Sequence, residues 1–357
     1  MRKFLSPSLL LPLVACTVLG AVWTREVGTI LLVVVAAALI AAVLVGVHHA
    51  EVVAHRVGEP FGTLVLAMAV TVIELALIGS MMLSGSPAAS TLARDTVYAT
   101  VMIVCNGVVG LCLLLGAIRH HVMIFQVEGV GQALAVLAPL TTLTLVLPGF
   151  TTTAPGSEYS PSQLVFAGVA SLVLYGAFVF VQTVRHREYF LPVETGDGEA
   201  HVPRPSVTAT LASLVLLIIC LVAVVGLAKK LAPSIEAGVR AAHAPQAVVG
   251  ICIALLVLLP ETWAALRAAT RNQMQTSLNL ALGSALATIG LTIPAVAALS
   301  ISIGLPLTLG LGGTGTTLLA LTLLVSAITL ATGRATVLDG TVHLILFGAF
   351  LFLSVVP

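Results

Sequence analysis

Val70-Thr71-Val72-Ile73-Glu74-Leu75-Ala76-Leu77 and Val257-Leu258-Leu259-Pro260-Glu261-Thr262-Trp263 decide how this chain folds, because each holds one carboxylate inside an apolar run long enough to span a membrane. Insertion scales put a charge at the bilayer centre at roughly 2.5 to 3.5 kcal/mol, so an acid kept there points to function. Of the 14 acids in the chain, all the others can be placed in a loop or near a helix end. The two that cannot fall one in each half.

Working outward, the 357 residues are 59% hydrophobic and 8% charged, with a mean hydropathy of +1.15. Such a chain has too little polar surface to wrap a water-soluble core, and reads as an all-α polytopic membrane protein with the lipid bilayer as its solvent. A net charge of +1 without a dense basic tract gives no reason to expect nucleic acid as a partner. The five cysteines, Cys16, Cys105, Cys112, Cys220 and Cys252, lie in apolar segments without metal or redox spacing and read as small packing residues.

A span needs about 20 apolar residues, and the charged or Pro/Gly-rich breaks allow about eleven. Their limits fall near 7–23, 28–47, 61–83, 96–117, 130–150, 162–184, 207–228, 246–266, 276–300, 304–331 and 338–356, with soft edges at Pro148, Pro294 and Gly310 to Gly315. The first run also has lipoprotein-signal features, with Arg2 and Lys3 before it and Leu13-Val14-Ala15-Cys16 within it. It continues past Cys16 to Trp23, however, and reads as a span. With a cytoplasmic N-terminus the inside segments hold ten basic residues and the outside ones five, namely Arg25, Arg94, Lys229, Lys230 and Arg240. The positive-inside rule therefore expects a multi-pass protein of the cell inner (plasma) membrane, N-terminus in the cytoplasm and C-terminus outside.

The longest connection, 185–206, carries Glu188, Glu194, Asp197 and Glu199 with His186 and His201, and it divides the chain near its middle. It reads as a solvated linker or as a cation-attracting mouth. Setting aside an N-terminal helix in 1–25, five spans lie in 26–184 and five in 207–357. An odd number per half inverts the second relative to the first, the plan of many secondary transporters. The acid occupies the second helix of each five, so the two helices are expected to meet near the midplane with both carboxylates facing one site.

The neighbours of the acids suit a cation site. Thr71 lies three residues before Glu74, on the same helical face, and can add a hydroxyl ligand. Pro260 removes a backbone donor and leaves a carbonyl near Leu256, which reads either as an unwound ligand or as a simple kink. The helix after each acid carries Thr100, Asn106 and Gly107 in one half, and Asn279, Gly283, Ser284 and Thr288 in the other, as ligands or as packing residues. Asn106, Asn279 and Ser284 are the candidates for added oxygen ligands.

Glu51, His55 and Glu59 recur every four residues beside His48 and His49, and read either as a proton relay or pH sensor or as a solvated helix end. His120, His121, His243 and His343 read as interfacial residues.

From His55-Arg56-Val57-Gly58-Glu59-Pro60-Phe61-Gly62-Thr63-Leu64-Val65-Leu66 onward to Glu74, the chain resembles the ChaA-type calcium/proton antiporters. The resemblance continues through Arg94-Asp95-Thr96-Val97-Tyr98, Leu258-Leu259-Pro260-Glu261, Arg271-Asn272-Gln273-Met274-Gln275, 278–288 and Thr332-Gly333-Arg334-Ala335-Thr336-Val337-Leu338. It implies membership of the cation/calcium exchanger superfamily, with two inverted five-helix repeats behind an extra first helix. It also implies that Glu74 and Glu261 are the two ion-binding, proton-exchanging glutamates, with calcium as the transported ion and no cofactor. The wider family carries Gly-Asn-Ala-x-Glu in both repeats, whereas this chain has neither asparagine, and Thr262 stands where a histidine often follows. Fewer neutral oxygens suit calcium less, so sodium or potassium is the alternative.

The expected mechanism is antiport by alternating access, in which the two glutamates hold either a cation or protons. Burial disfavours a charged carboxylate and an adjacent cation favours it, so proton loss and cation binding support each other. Export of cytoplasmic cation against inward protons follows. A cation channel would use the same acids without proton coupling. An intramembrane enzyme finds no catalytic dyad or His-Glu-x-x-His motif to build on.

Overall fold

A computed structural model describes residues 7–25, 28–57, 61–83, 89–191 and 205–356. Glu59 and residues 192–204 of the acidic connection lie outside the described residues. The described helices are α1 (Pro7–Val22), α2 (Thr29–Val57), α3 (Phe61–Met82), α4 (Leu92–His120), α5 (Val127–Gly149), α6 (Pro161–Arg185), α7 (Val207–Ala241), α8 (Ala247–Thr270), α9 (Met274–Ile303), α10 (Gly313–Leu330) and α11 (Val337–Val355). Among the described residues, nine helices are long and apolar enough to cross a membrane. Two-residue strands β1 (Met123–Ile124) and β2 (Arg334–Ala335) pair antiparallel, Met123 with Ala335.

The helices gather into two compact units that do not follow the sequence halves. One takes Met1–Ala89 and Gly198–Gln246, hence α1, α2, α3 and α7; the other takes Ser90–Asp197 and Ala247–Pro357.

In the first unit α2 and α7 run antiparallel, since His49 meets Ser213, Gly46 faces Cys220 and Arg56 donates to the Pro205 carbonyl. Gly46 admits this approach: a Cβ there would lie 3.3 Å from that of Cys220 and 3.9 Å from Ile73 of α3. Gly226 of α7 admits Leu19 of α1 in the same way. His49 is buried and joins three helices, through Ser213 at 3.3 Å and the Ser8 carbonyl at 2.9 Å. Helix α7 runs to Ala241, where hydropathy had ended the span at 228. Lys229 and Lys230 interrupt an apolar run but are good helix formers, so charge marks the end of hydrophobicity and not of the helix. Its 35 residues reach about 52 Å at 1.5 Å each, well beyond a ~30 Å hydrocarbon core.

In the second unit α4 and α9 each carry a π-helical turn, Ile103–Val108 and Thr288–Thr292. Pro294 follows the second, where its missing N–H suits an irregular ladder. A further π-turn, Thr142–Val146, precedes Pro148 in α5. The expected span 304–331 is overturned at its start. Gly304, at φ 66°, ends α9, and 304–312 is an extended loop before α10. That loop is stitched down by Thr308 N to the Ser90 carbonyl, Gly310 N to the Ser157 carbonyl and Leu311 N to the Leu145 carbonyl. Gly310 is required, because a Cβ there would lie 2.8 Å from Gly149 N.

Candidate functional site

Glu74 sits in an unbroken α3, and a single residue separates the fates of its neighbours. Met68 and Val72 are exposed, while Thr71, Glu74 and Ile78 fall on a neighbouring, buried side at helical spacing. Glu74 is 1% exposed. Ile73, next to the acid, is buried facing Gly46 of α2. The pairing of Thr71 with Glu74 expected from spacing is present as a shared buried face.

Glu261 sits in α8 and is half-buried; Trp263, two residues on, is 71% exposed. The helix passes through Pro260 without a break, so the unwound backbone that the proline could have produced is not there. The irregular turns appear instead in the following helices α4 and α9, a shift that the asparagine-glycine pair 106–107 and Pro294 signal in the sequence. π-turns recur at functional positions because they redirect side chains and loosen the backbone ladder.

The two asparagines expected as ligands are turned to protein partners. Asn106 Nδ2 donates to Thr322 Oγ1 at 2.8 Å, and Asn106 Oδ1 lies 3.3 Å from His343 Nδ1. Asn279 Nδ2 donates to the Phe190 carbonyl at 2.6 Å, while its Oδ1 accepts from Gln275 Nε2 at 3.0 Å. Gln275 also accepts from the Gln126 N–H, and Gln126 donates to the Leu191 carbonyl. Residues at the start of the acidic connection are therefore sewn onto α5 and α9. Ser284 is half-buried, and Thr288, one turn on within the π-turn, is buried.

Six further residues differ from, or refine, what the sequence led one to expect. Glu51 and His55 stand exposed on one face of α2, while His49 is the buried member of that group. His343 is not interfacial: it is wholly buried, where Gly110 and Gly340 let α4 and α11 approach closely enough to enclose it. Two more acids are buried, Asp95 in an ion pair with Arg94 at 2.8 Å and Glu236 within α7. Their place near helix ends hid this from a reading of hydropathy.

A profile described as "Sodium/calcium exchanger protein" matches residues 27–184 and 212–356. A putative ionic transporter, y4hA, of Sinorhizobium fredii is 48% identical over 356 residues, covering 98% of this chain and 96% of that one. The sodium-potassium/proton antiporter ChaA of Escherichia coli is 36% identical over 308 residues, 85% of this chain and 83% of that one. Among solved structures, native YfkE superposes with a TM-score of 0.74 at 15% identity, over 98% of this chain and all of that one. The H+/Ca2+ exchanger CAX superposes with 0.72 at 14% identity, over 96% and 86%. These two likenesses speak for the fold.

Proposed function

We propose, from the premise that the chain belongs to the sodium/calcium exchanger protein family, that it is a proton-coupled cation antiporter in which Glu74 and Glu261 exchange protons for the transported ion. It is a multi-pass membrane transporter, not an enzyme, and its cargo is inorganic cations. Sodium or potassium fits the site better than calcium. The observation that carries this choice is the commitment of Asn106 and Asn279 to protein partners. Calcium asks for six to eight oxygens, and with these two amides committed fewer neutral oxygens are left to supply them. The Escherichia coli relative, a sodium-potassium/proton antiporter, agrees. Calcium is the second reading, favoured by the carboxylate charge that each glutamate supplies.

In this reading the chain is two inverted five-helix repeats, 26–184 and 207–357, behind a first helix and joined by 185–206. The separate family matches to 27–184 and 212–356 support it, as do the π-turns Ile103–Val108 and Thr288–Thr292 in the third helix of each repeat. The excess of basic residues supports a cytoplasmic N-terminus in the inner membrane. Net charge moved per cycle would be driven at about 2.3 kcal/mol per charge per 100 mV.

The test is reconstitution with an internal pH dye and an imposed proton gradient, adding sodium, potassium or calcium in turn. Proton movement on adding sodium or potassium is expected. A response to calcium alone would favour the second reading, and cation flux that moves no protons would point to a channel.

A further inference from the structure

His343 of α11 has no exposed surface, and its partners come from two other helices. Its Nδ1 lies 3.3 Å from Asn106 Oδ1, it reaches the Cys105 carbonyl, and its Nε2 lies 2.9 Å from Thr329 Oγ1. With Asn106 Nδ2 donating to Thr322, the amide oxygen can only accept, so the proton of a neutral imidazole sits on Nδ1. Asp339, one turn earlier, is occupied in capping α11 with Thr336. Thr322, Asn106, His343 and Thr329 thus form an open polar circuit, linked in that order, between α10, α11 and the π-turn Ile103–Val108 of α4.

The backbone is shaped around this circuit. A Cβ on Gly110 would lie 2.9 Å from His343 Cβ, one on Gly107 would lie 3.3 Å from the Phe347 ring, and one on Gly340 would lie 2.5 Å from Leu114 N. The same π-turn packs against α8, the helix that bears Glu261. Reversion of the turn to plain α geometry would drop one residue and rotate the two parts of α4 by about 100° relative to each other. A clamp that holds the turn therefore holds the surface on which the helix of Glu261 rests.

We propose that His343 is a positioning residue: through Asn106 and Cys105 it fixes the π-turn of α4, and so sets the cation affinity of exchange without touching the ion. This rests on the reading of Glu261 as an exchanging carboxylate.

The experiment uses the reconstituted full-length protein, with sodium, potassium or calcium chloride added in a concentration series and rates normalised to folded protein. His343→Leu, which keeps apolar bulk and loses both nitrogens, is expected to raise the apparent KM for the cation that drives proton movement about tenfold, with little change in maximal rate. His343→Gln, whose amide both donates and accepts, is expected to return KM to within about threefold of the unaltered protein. An unchanged KM in His343→Leu, a loss confined to the maximal rate, or a glutamine variant no better than leucine overturns the proposal. If His343→Leu does not fold, Thr329→Val removes the Nε2 partner together with the hydroxyl's bond to the Val325 carbonyl of its own helix; a KM rise of about threefold is expected, and an unchanged KM overturns it. Glu261→Gln is run beside these variants. Exchange that persists there overturns the carboxylate reading, whatever the His343 variants do.

Discussion

Glu74 and Glu261 are matched in the sequence and unmatched in their surroundings. Glu74 lies in an uninterrupted helix, fully buried, with a threonine on its own face. Glu261 follows a proline in a helix that stays regular, is half-buried, and stands two residues from an exposed tryptophan. Their supports differ as well. A Cβ on Gly46 of α2 would lie an ordinary 3.9 Å from Ile73 of α3, whereas α8 meets α4 so closely that a Cβ on Gly250 would lie 2.8 Å from the Asp95 carbonyl carbon. Two helices of one chain can thus hold the same chemical group, one loosely backed and one tightly backed.

The largest effect should come from the acids. Glu74→Gln and Glu261→Gln are each expected to abolish cation-driven proton movement while the protein still elutes as a folded species, and robust exchange by either would break the pairing. Aspartate sharpens the contrast: Glu74→Asp should lose more initial rate than Glu261→Asp, because a fully buried carboxylate cannot recover its reach by moving. Equal losses would show that the difference in burial is without consequence for exchange.

The supports come next. Gly250→Ala forces a methyl group against the backbone at Asp95 and should cost about 1–3 kcal/mol of stability, read as a lowered thermal midpoint in detergent. Gly46→Ala meets the Cys220 Cβ at 3.3 Å and the Ile73 side chain at 3.9 Å, with no backbone atom as near, and should cost less, about 1 kcal/mol. A reversed order would show that α3 is the more tightly held helix. Pro260→Ala should leave the cation KM within about threefold, since the helix already runs through that position without a break. A larger change would show that the carbonyl freed by the proline does serve the ion. The smallest effect is expected at Glu51 and His55, both exposed. Glutamine at either position should leave the rate and its pH profile unchanged, and a flattened profile would restore the relay.

Much of this was readable along the chain. The stretch 70–77 announces α3 and its buried face, since a carboxylate and a threonine three residues apart in an apolar run can share only one side of a helix. Helix α7 was misjudged because lysines end hydropathy before they end a helix. The span 304–331 was misjudged because an apolar, glycine-rich stretch has the composition of a span while Gly304 and Pro306 deny it the conformation. His343 was misjudged for a different reason: its height in α11 suggests an interface, and only close glycine contacts from α4 enclose it.

By itself, then, the sequence determined the membrane solvent, most of the helical spans and the place of two acids inside apolar runs, because hydropathy and the cost of a buried charge act locally on each run of residues. The tertiary structure alone decided which polar groups are spent on protein. Asn106 meets Thr322 and His343 across 216 and 237 residues of chain. An amide or imidazole has the same donors and acceptors wherever it stands, and only the partner that folding brings within hydrogen-bond reach turns it into a ligand or a clamp.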